Sequence, residues 1–325
     1  MNEPYRIIIR SHGGPEVIER ENIALPEPGP GEVRIRVAAS GLNFIDTYHR
    51  SGLYPLAMPS GLGVEGGGTV EAVGESVTDM RTGDRVAFLV RAGSYATHVV
   101  VPATMTVTLP EGVSEEVAAG AFMKGLTSWM LVEPCAKIHA GQSALVHGAA
   151  GGVGQVLVQW LKAIGVTVIA HAGSPEKADR ATALGADHAL SCPYDALAGT
   201  VRDLTGGRGV DVVFDGIGAA SWAASLAATA RCGLVITYGN ASGPVPPFSA
   251  LDLLRAGSLF VTRPTLYDYI AAPGTLQSAG RTLFEMVVDG RLKVGIDQRF
   301  PLSEAAEAHR ALEGRQTTGS TILVP

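Results

Sequence analysis

One glycine-rich segment constrains the fold of this chain more than any other feature. Residues 147–154 read HGAAGGVG. They follow the apolar run SALVH, which predicts a strand, and they open the segment GGVGQVLVQWLKAIG, which predicts a helix. Ala149, Gly151 and Gly154 stand at the three spaced positions of a G-x-G-x-x-G turn, with Ala in the first. Such a turn lets backbone amides approach a pyrophosphate at a helix N-terminus, so the segment predicts a dinucleotide site.

The region around this turn alternates between strand-like and helix-like segments. The apolar runs are VTVIAHA, VDVVFD, GLVITYG and SLFVTRP, and helical segments separate them. Continuous apolar strands joined through helices predict a parallel sheet that is covered on both faces.

The first 120 residues read differently, as a β-rich unit. Val33, Ile35 and Val37 alternate with arginines, and further short runs at 61–74, 83–90 and 94–102 are bounded by Gly or Pro. This spacing predicts a compact, barrel-like β unit. The last residues, STILVP, form an apolar strand that we expect to return to this unit. The fold class is therefore α/β, with one domain formed by 1–124 and 266–325 and an inserted domain at 125–265.

Composition excludes several classes of protein. The formal charge of −6 and the absence of a basic run argue against nucleic-acid binding. The three cysteines are widely spaced and form neither a disulfide framework nor a C-x-x-C metal motif, which favours a reducing cytoplasm. No apolar run reaches the ~18 residues that a membrane span requires.

The end of the second strand of the inserted domain indicates which dinucleotide binds. An acid that holds the ribose hydroxyls is expected about 20 residues after the glycine turn. Ala172 stands there instead, in AHAGSPEK, while Ser174 and Lys177 offer a hydroxyl and a positive charge to a 2′-phosphate. An ordinary solvated helix lysine is the alternative for Lys177. The missing acid favours NADPH over NADH.

Seven segments together carry a resemblance to a known family. They are GLNFIDTYHRSGLYP (41–55), GLGVEGGGTVEAVG (61–74), FMKGLTSW (122–129), HGAAGGVG, YGNASG (238–243), VTRP (261–264) and TTGSTILVP (317–325). In this order they resemble the zinc-free quinone oxidoreductases of the medium-chain dehydrogenase/reductase superfamily, the group that includes zeta-crystallin. The resemblance implies a GroES-like catalytic domain, a doubly wound Rossmann domain with a parallel sheet, NADPH as cofactor, a quinone as substrate and a homodimer.

The resemblance also implies that no metal is bound. Zinc-dependent members of the superfamily hold a catalytic metal with Cys and His at places that here resemble Asn43 and Val64. Neither Asn nor Val is a plausible zinc ligand. The region 91–101, where a cysteine-rich structural zinc loop is expected, contains no Cys.

The resemblance places the reaction in a metal-free interdomain cleft, where hydride or electrons pass from nicotinamide C4 to the quinone. The residues that it suggests for the reacting end are Asn43, Asp46, Tyr48, Tyr54 and Thr127. We expect the first three in a loop directly after the strand VRIRVAAS, and turn chemistry with core packing is the alternative for this segment.

The cofactor contacts implied by the resemblance are more numerous. They are Tyr48, Lys124, Thr127, Gly151, Gly152, Val153, Gly173, Ser174, Lys177, Cys192, Gly218, Tyr238, Gly239, Asn240, Arg263 and Arg315. The alternative to a cofactor contact is a structural role at the domain junction for Lys124 and a structural ion pair for each of the two arginines. Cys192 stands where the family has a Tyr or His near the adenosine phosphate, and Tyr194 follows two residues later.

Two other functions stay open at this stage. A reductase of activated C=C bonds, in alkenals or enones, uses the same hydride and fold, and fold does not decide function. A non-catalytic NADPH-binding or RNA-binding protein is the rival from another class, although the negative charge weighs against RNA. We expect the homodimer to form through the last strand of the inserted domain, 258–264, because an apolar sheet edge favours pairing with its own copy.

Overall fold

The computed structural model describes residues 3–325. The strands are β1 Tyr5–Ile9, β2 Ile18–Asn22, β3 Glu32–Leu42, β4 Ser60–Gly61, β5 Glu65–Val73, β6 Arg85–Leu89, β7 His98–Pro102, β8 Thr106–Thr108, β9 Ser143–His147, β10 Thr167–His171, β11 His188–Leu190, β12 Val210–Asp215, β13 Thr229–Thr237, β14 Phe260–Thr262, β15 Ile296–Pro301 and β16 Ser320–Val324. The α-helices are α1 Phe44–Ser51, α2 Glu115–Met130, α3 Gly152–Ala163, α4 Pro175–Ala183, α5 Tyr194–Leu204, α6 Trp222–Ala228, α7 Ala250–Arg255, α8 Leu266–Tyr269, α9 Thr275–Val288 and α10 Ala305–Glu313.

The chain divides into two compact units. The first unit comprises the residues up to Leu126 together with Ala271–Gly290 and Val294–Pro325. The second unit comprises Thr127–Ile270 and Arg291–Lys293.

A mixed sheet of seven strands dominates the first unit. Its order is β15-β16-β3-β5-β6-β8, and β7 also pairs with β3. The alternation predicted at the start of β3 is confirmed, since Val33, Ile35 and Val37 are buried in the core beneath the sheet. A smaller antiparallel sheet, β2-β1-β4, completes the β-rich architecture that the sequence predicts for this part of the chain.

The C-terminal strand returns to this sheet, as expected. β16 pairs antiparallel with β3, with Thr321 opposite Leu42 and Leu323 opposite Ser40. This pairing braces the end of β3, from which the chain enters α1.

A parallel sheet of six strands forms the second unit, which confirms the doubly wound architecture. Its order is β11-β10-β9-β12-β13-β14, so β9 lies in the middle and the chain moves first to one side of it and then to the other. Leu145, Val213 and Val235 from three of these strands lie in one core cluster with Trp222 of α6. Ligands of such sheets bind at the carboxyl ends of the strands, next to this change of direction.

The segment after β3 corrects one expectation. Residues 44–51 form the helix α1 and not a loop, and Asn43 is its N-cap. The Asp46 carboxylate accepts a hydrogen bond from the Asn43 amide at 2.8 Å. Asn and Asp favour turns and helix N-termini alike, because their side chains bond nearby backbone amides in both, so the sequence pattern left the two indistinguishable.

No helix within residues 3–325 is long and apolar enough to span a bilayer.

Candidate functional site

The glycine turn after β9 is packed too closely for larger residues. Gly148 has a φ of +63°, in the left-handed region that favours glycine. A Cβ on Gly154 would lie 2.2 Å from the Gly148 carbonyl oxygen. The Ala149 amide donates to the carbonyl of His171, at the end of the neighbouring β10, at 3.1 Å. The turn is therefore fixed by its own backbone and by the next strand.

The helix that follows this turn, α3, presents its first amides at its N-terminus. α3 runs for 12 residues from its N-cap, Gly151, which has no side chain to bond them. The first amides of a helix, here those of Gly152 and Val153, have no carbonyl partner within the helix, and the helix dipole makes this end attractive to anions. The turn and helix thus fit the diphosphate of a dinucleotide.

The end of β10 carries no carboxylate at the ribose position. Ala172 is buried, and its amide donates to the Leu190 carbonyl at 2.9 Å. Ser174 caps α4, where its Oγ accepts a hydrogen bond from the Lys177 amide at 3.3 Å. Ser174 and Lys177 therefore lie in one helix start directly after Gly173, which suits a phosphate group better than free ribose hydroxyls.

Two further turns interlock after β12 and β13. The Asp215 carboxylate accepts the amides of Ile217 at 2.8 Å and Gly218 at 3.1 Å. Gly218 has a φ of +95°, and a Cβ there would meet the Gly243 carbonyl oxygen at 2.2 Å. A Cβ on Gly239 would meet the Gly216 carbonyl oxygen at the same distance. The structure thus brings the predicted residues Gly218, Tyr238, Gly239 and Asn240 into one compact pair of turns.

Arg263, just after β14, contacts the second of these turns. Its Nη1 donates to Thr237 Oγ1 at 3.1 Å and to the Gly239 carbonyl at 3.0 Å. The guanidinium thereby joins the ends of β13 and β14.

A buried polar network lies beneath these turns. Ser225 Oγ lies 2.6 Å from Asp215 Oδ2 and 3.0 Å from His147 Nε2. Burial lowers the pKa of His147 to about 4, so its ring is neutral near pH 7. Since Ser225 donates its proton to the carboxylate, His147 donates through Nε2. Asp215 is a residue that the sequence analysis missed; its signal is an acid that ends an apolar run directly before a glycine.

Aromatic rings lie close to Cys192, although Cys192 itself is not aromatic. The Cys192 carbonyl accepts a hydrogen bond from His171 Nε2 at 2.9 Å. The Tyr194 ring, at the start of α5, has its centroid 4.9 Å from that of His171 and 5.8 Å from that of His147. Tyr194 and His171 thus supply the rings near this position, and a cofactor contact by Cys192 stays a prediction.

A buried carboxylate organises the candidate residues of the first unit. Glu65, the first residue of β5, is fully buried. It accepts hydrogen bonds from Asn43 Nδ2 at 2.7 Å, Lys124 Nζ at 2.9 Å and the Met123 amide at 2.6 Å. We call these four residues the Glu65 cluster. Burial of the Glu65 carboxylate is tolerated because a cation and two further donors surround it.

Asp46 lies next to this cluster and is also fully buried. Its Oδ2 accepts a hydrogen bond from Tyr95 Oη at 2.8 Å in addition to that from the Asn43 amide. Its Oδ1 is buried without a hydrogen-bond partner among residues 3–325. Desolvation raises the pKa of Asp46 to about 7, against the opposing effect of its two donors.

Aromatic rings follow on α1 and just beyond it. The centroids of Tyr48 and Tyr54 are 5.3 Å apart in an edge-to-face arrangement, and Phe44 lies 6.4 Å from Tyr48. Tyr48 is largely buried, whereas Phe44 is 37% exposed. The structure thus brings Asn43, Asp46, Tyr48 and Tyr54 together on one short segment.

The remaining predicted residues lie apart from these groups. Thr127 is in α2, three residues after Lys124, and belongs to the second unit. Arg315 is exposed, with a φ of +57°, just after α10. Their roles stay predictions. Within residues 3–325, no group of three or more His, Cys, Asp or Glu side chains is arranged to hold a metal ion.

Sequence reasoning missed Glu65 and Tyr95 as members of the site. Glu65 had a visible signal, because it is a single carboxylate within the apolar, glycine-rich run GLGVEGGGTV. Such a residue enters a core only when partners compensate its charge. Tyr95 had no comparable signal, since its role depends on contact with Asp46 across 49 residues.

Comparisons with known proteins agree along the whole chain. Residues 29–111 match the family described as alcohol dehydrogenase GroES-like domain, and residues 152–279 match that described as zinc-binding dehydrogenase. A quinone oxidoreductase of Pseudomonas aeruginosa is 46% identical over 322 residues, covering 98% of this chain and 99% of that protein. A 2-haloacrylate reductase of a Burkholderia species is 39% identical, with 98% of each chain covered.

A solved structure agrees equally well. The quinone oxidoreductase of Escherichia coli, in complex with NADPH, superposes with a TM-score of 0.95 at 39% identity, covering 99% of this chain and 100% of that one. Both the β-rich unit and the parallel-sheet unit are thus shared with proteins of one kind. The chain belongs to the quinone oxidoreductase family of the medium-chain dehydrogenase/reductase superfamily.

Proposed function

We propose that this chain is an NADPH-dependent quinone reductase. The observation that carries the proposal is the full-length similarity to quinone oxidoreductases, together with a glycine turn that fits a dinucleotide diphosphate. The interlocked turns at Gly218 and Gly239 follow β12 and β13 at the carboxyl ends of strands of the parallel sheet, where ligands of such sheets bind.

NADPH, when bound, supplies a hydride from nicotinamide C4. The amides of Gly152 and Val153 hold the diphosphate, and Ser174 and Lys177 hold the 2′-phosphate. An acid at Ala172 would repel that phosphate, so its absence supports the choice of NADPH. Gly173, Tyr238, Asn240, Arg263 and Arg315 complete the cofactor contacts in this proposal, and Cys192 lies at its adenosine end.

The residues of the first unit act on the substrate by position and hydrogen bonding. Asn43 and Lys124 offer an amide and an ammonium group to the nicotinamide and the quinone oxygen, and Tyr48 and Tyr54 offer flat aromatic surface to the rings. Thr127 bonds the carboxamide. Reduction of a quinone needs one proton besides the hydride, and solvent supplies it. Asp46, which is fully buried, acts by holding the Asn43 amide at the start of α1. A quinone is already a good acceptor, so hydrogen bonds replace the metal that polarises a less reactive carbonyl.

A reductase of activated C=C bonds is the second candidate. It is favoured by the 2-haloacrylate reductase at 39% identity, because that protein matches this chain over nearly its full length. The two candidates share cofactor and hydride and differ only in the acceptor.

Initial rates with different acceptors separate the two. Purified enzyme with NADPH receives a 1,4-naphthoquinone, 2-chloroacrylate or an α,β-unsaturated ketone in parallel assays. The proposal predicts a kcat/KM for the quinone at least about tenfold above either alternative, which corresponds to about 1.4 kcal/mol in transition-state binding. A higher value for 2-chloroacrylate or the enone favours the second candidate, and NADPH binding without turnover favours a non-catalytic protein.

We also propose that the enzyme is a cytoplasmic homodimer. β14 is the outermost strand of the six-stranded sheet, and Phe260 on it is 65% exposed. Leu251 and Leu254 of the preceding helix α7 are 56% and 64% exposed. Apolar side chains exposed along a sheet edge favour pairing with a second copy. The three cysteines are free thiols, which suits a reducing compartment.

A further inference from the structure

The Glu65 cluster contains an ion pair that the packing of this unit does not by itself require. Replacing a buried ion pair with apolar side chains of similar volume is often neutral or stabilising, because desolvation offsets most of the attraction between the charges. Fold stability alone therefore does not explain the buried Glu65–Lys124 pair. The pair does have a second consequence, since Glu65 bonds two side chains that the proposed function uses.

The two oxygens of Glu65 have separate tasks. Oε2 accepts the Met123 amide at 2.6 Å, which fixes the carboxylate to the backbone of α2. Oε1 accepts both Asn43 Nδ2 at 2.7 Å and Lys124 Nζ at 2.9 Å. The backbone thus holds one oxygen of the carboxylate, and the other oxygen orients the Asn43 carboxamide and the Lys124 ammonium group together.

The backbone near Glu65 leaves space for its carboxylate because residue 41 is a glycine. A Cβ on Gly41 would lie 2.2 Å from Glu65 Oε1 and equally close to the Ala119 carbonyl oxygen. Gly41 therefore has to lack a side chain for Glu65 to reach α2. The glycine at the end of β3 and the acid at the start of β5 form one arrangement.

We propose that Glu65 is the positioning residue that holds Asn43 and Lys124 in the single arrangement required by the nicotinamide and the substrate oxygen. The proposal rests on the proposed function for the roles of Asn43 and Lys124. Glu65 itself touches neither cofactor nor substrate in this account and acts through those two side chains.

Substitution by glutamine tests whether the hydrogen bonds and charge of Glu65 are required, or only the volume of its side chain. Glu65→Gln keeps the size but offers one acceptor oxygen and an NH2 group, so it cannot accept from all three donors. It also leaves the Lys124 charge without its partner. Glu65→Asp keeps the negative charge but shortens the side chain by one methylene, which moves the carboxylate away from its donors. We expect the aspartate variant to retain more function than the glutamine variant.

The matched control is Glu313→Gln. Glu313 pairs with the buried Arg50 at 2.7 Å in the same unit, so its loss also leaves a buried cation without its carboxylate, and the hydrogen bonds of Glu313 go to Arg50 and not to a residue of the Glu65 cluster. Each variant is measured for thermal stability, for the NADPH dissociation constant by fluorescence titration, and for kcat and KM. A crystal structure of the Glu65→Gln protein without cofactor supplies the side-chain positions of Asn43 and Lys124.

The expected result is a loss specific to the Glu65 position. Glu65→Gln should weaken NADPH binding and lower kcat by about tenfold or more, in line with the loss of a charged hydrogen bond, and both side chains should be displaced in the crystal. Glu313→Gln should reduce stability while changing neither constant by more than about twofold. Equal effects of the two variants on the NADPH dissociation constant and kcat, or undisplaced side chains, would overturn the proposal.

A double-mutant cycle of Glu65 and Lys124 tests the coupling directly, with Glu65→Asp in place of Glu65→Gln if the glutamine variant alone folds poorly. Glu65→Gln combined with Lys124→Met removes both charges, so no unpaired charge stays buried. If Glu65 acts through Lys124, the glutamine substitution costs much less in the Lys124→Met background than alone, whereas additive losses contradict the proposal. Wild-type protein without quinone turnover refutes the proposed function instead, and the NADPH dissociation constants then still decide the role of Glu65.

Discussion

Tyr95 Oη donates a hydrogen bond to Asp46 Oδ2 at 2.8 Å, and both side chains are fully buried. Burial raises the pKa of Asp46 to about 7 and that of Tyr95 well above its usual range. The same carboxylate accepts the amide of Asn43 at the start of α1. Protonation of Asp46 is therefore linked to the stability of the segment that carries Asn43 and Tyr48.

We predict that Asp46 gives the folding free energy a distinctive pH dependence. Its pKa rises from 3.8 unfolded to about 7 folded, so the stability due to its proton is fully present below pH 3.8 and is lost as the pH rises to about 7. Asp46→Asn removes this dependence. Between those limits, wild type should lose up to about 1.4 kcal/mol per pH unit relative to the variant, measured by urea unfolding.

The control for this prediction is Asp195→Asn, which alters an exposed aspartate of α5. This variant should follow the pH dependence of the wild type. Parallel stability curves for wild type and Asp46→Asn would show that Asp46 is ionised in the folded chain throughout this range.

Lys177→Ala should impair the use of NADPH but not of NADH. Loss of one charged hydrogen bond to the 2′-phosphate costs about 1.5–3 kcal/mol, so the KM for NADPH should rise about ten- to a hundredfold. Lys162→Ala is the control, because Lys162 of α3 pairs with Asp187 at 2.7 Å within the same unit. Equal changes for both cofactors would remove Lys177 from the phosphate site.

A feature was predictable from the sequence when neighbouring residues specify it, and unpredictable when residues far apart in the chain do. The strand, turn and helix around Gly151 were predictable because contiguous residues specify them. The Glu65 cluster was not, since Asn43, Glu65 and Lys124 meet only after β3 pairs with β5 and α2 packs against them. The conformation of α1 was ambiguous for another reason, namely that Asn43 and Asp46 suit a turn and a helix start equally well.

Activity should be independent of metal. Asn43 and Val64 occupy the positions where zinc-dependent relatives are expected to hold their metal, and Asn43 Nδ2 is already bonded to Glu65. Prolonged dialysis against a chelator should leave NADPH-dependent turnover unchanged, and elemental analysis should find well below one zinc per chain. Stoichiometric zinc whose removal abolishes turnover would refute this prediction.

Phe260→Glu should weaken the proposed dimer. A buried aromatic anchor at an interface contributes about 2 kcal/mol or more, so the dissociation constant should rise about thirtyfold or more in analytical ultracentrifugation. Leu204→Glu is the control, since Leu204 is an exposed leucine at the end of α5. A wild-type mass of 33.6 kDa at micromolar concentration would contradict the dimer itself.

The central claim is that this chain passes a hydride from NADPH to a quinone. An anaerobic single-turnover experiment tests it most directly, by mixing the enzyme and NADPH carrying deuterium at both C4 positions with a 1,4-naphthoquinone. We predict that nicotinamide fluorescence and quinone absorbance are lost at one rate and in equal amounts, and that deuterium slows both. Quinone that persists while 2-chloroacrylate consumes the same NADPH would contradict it.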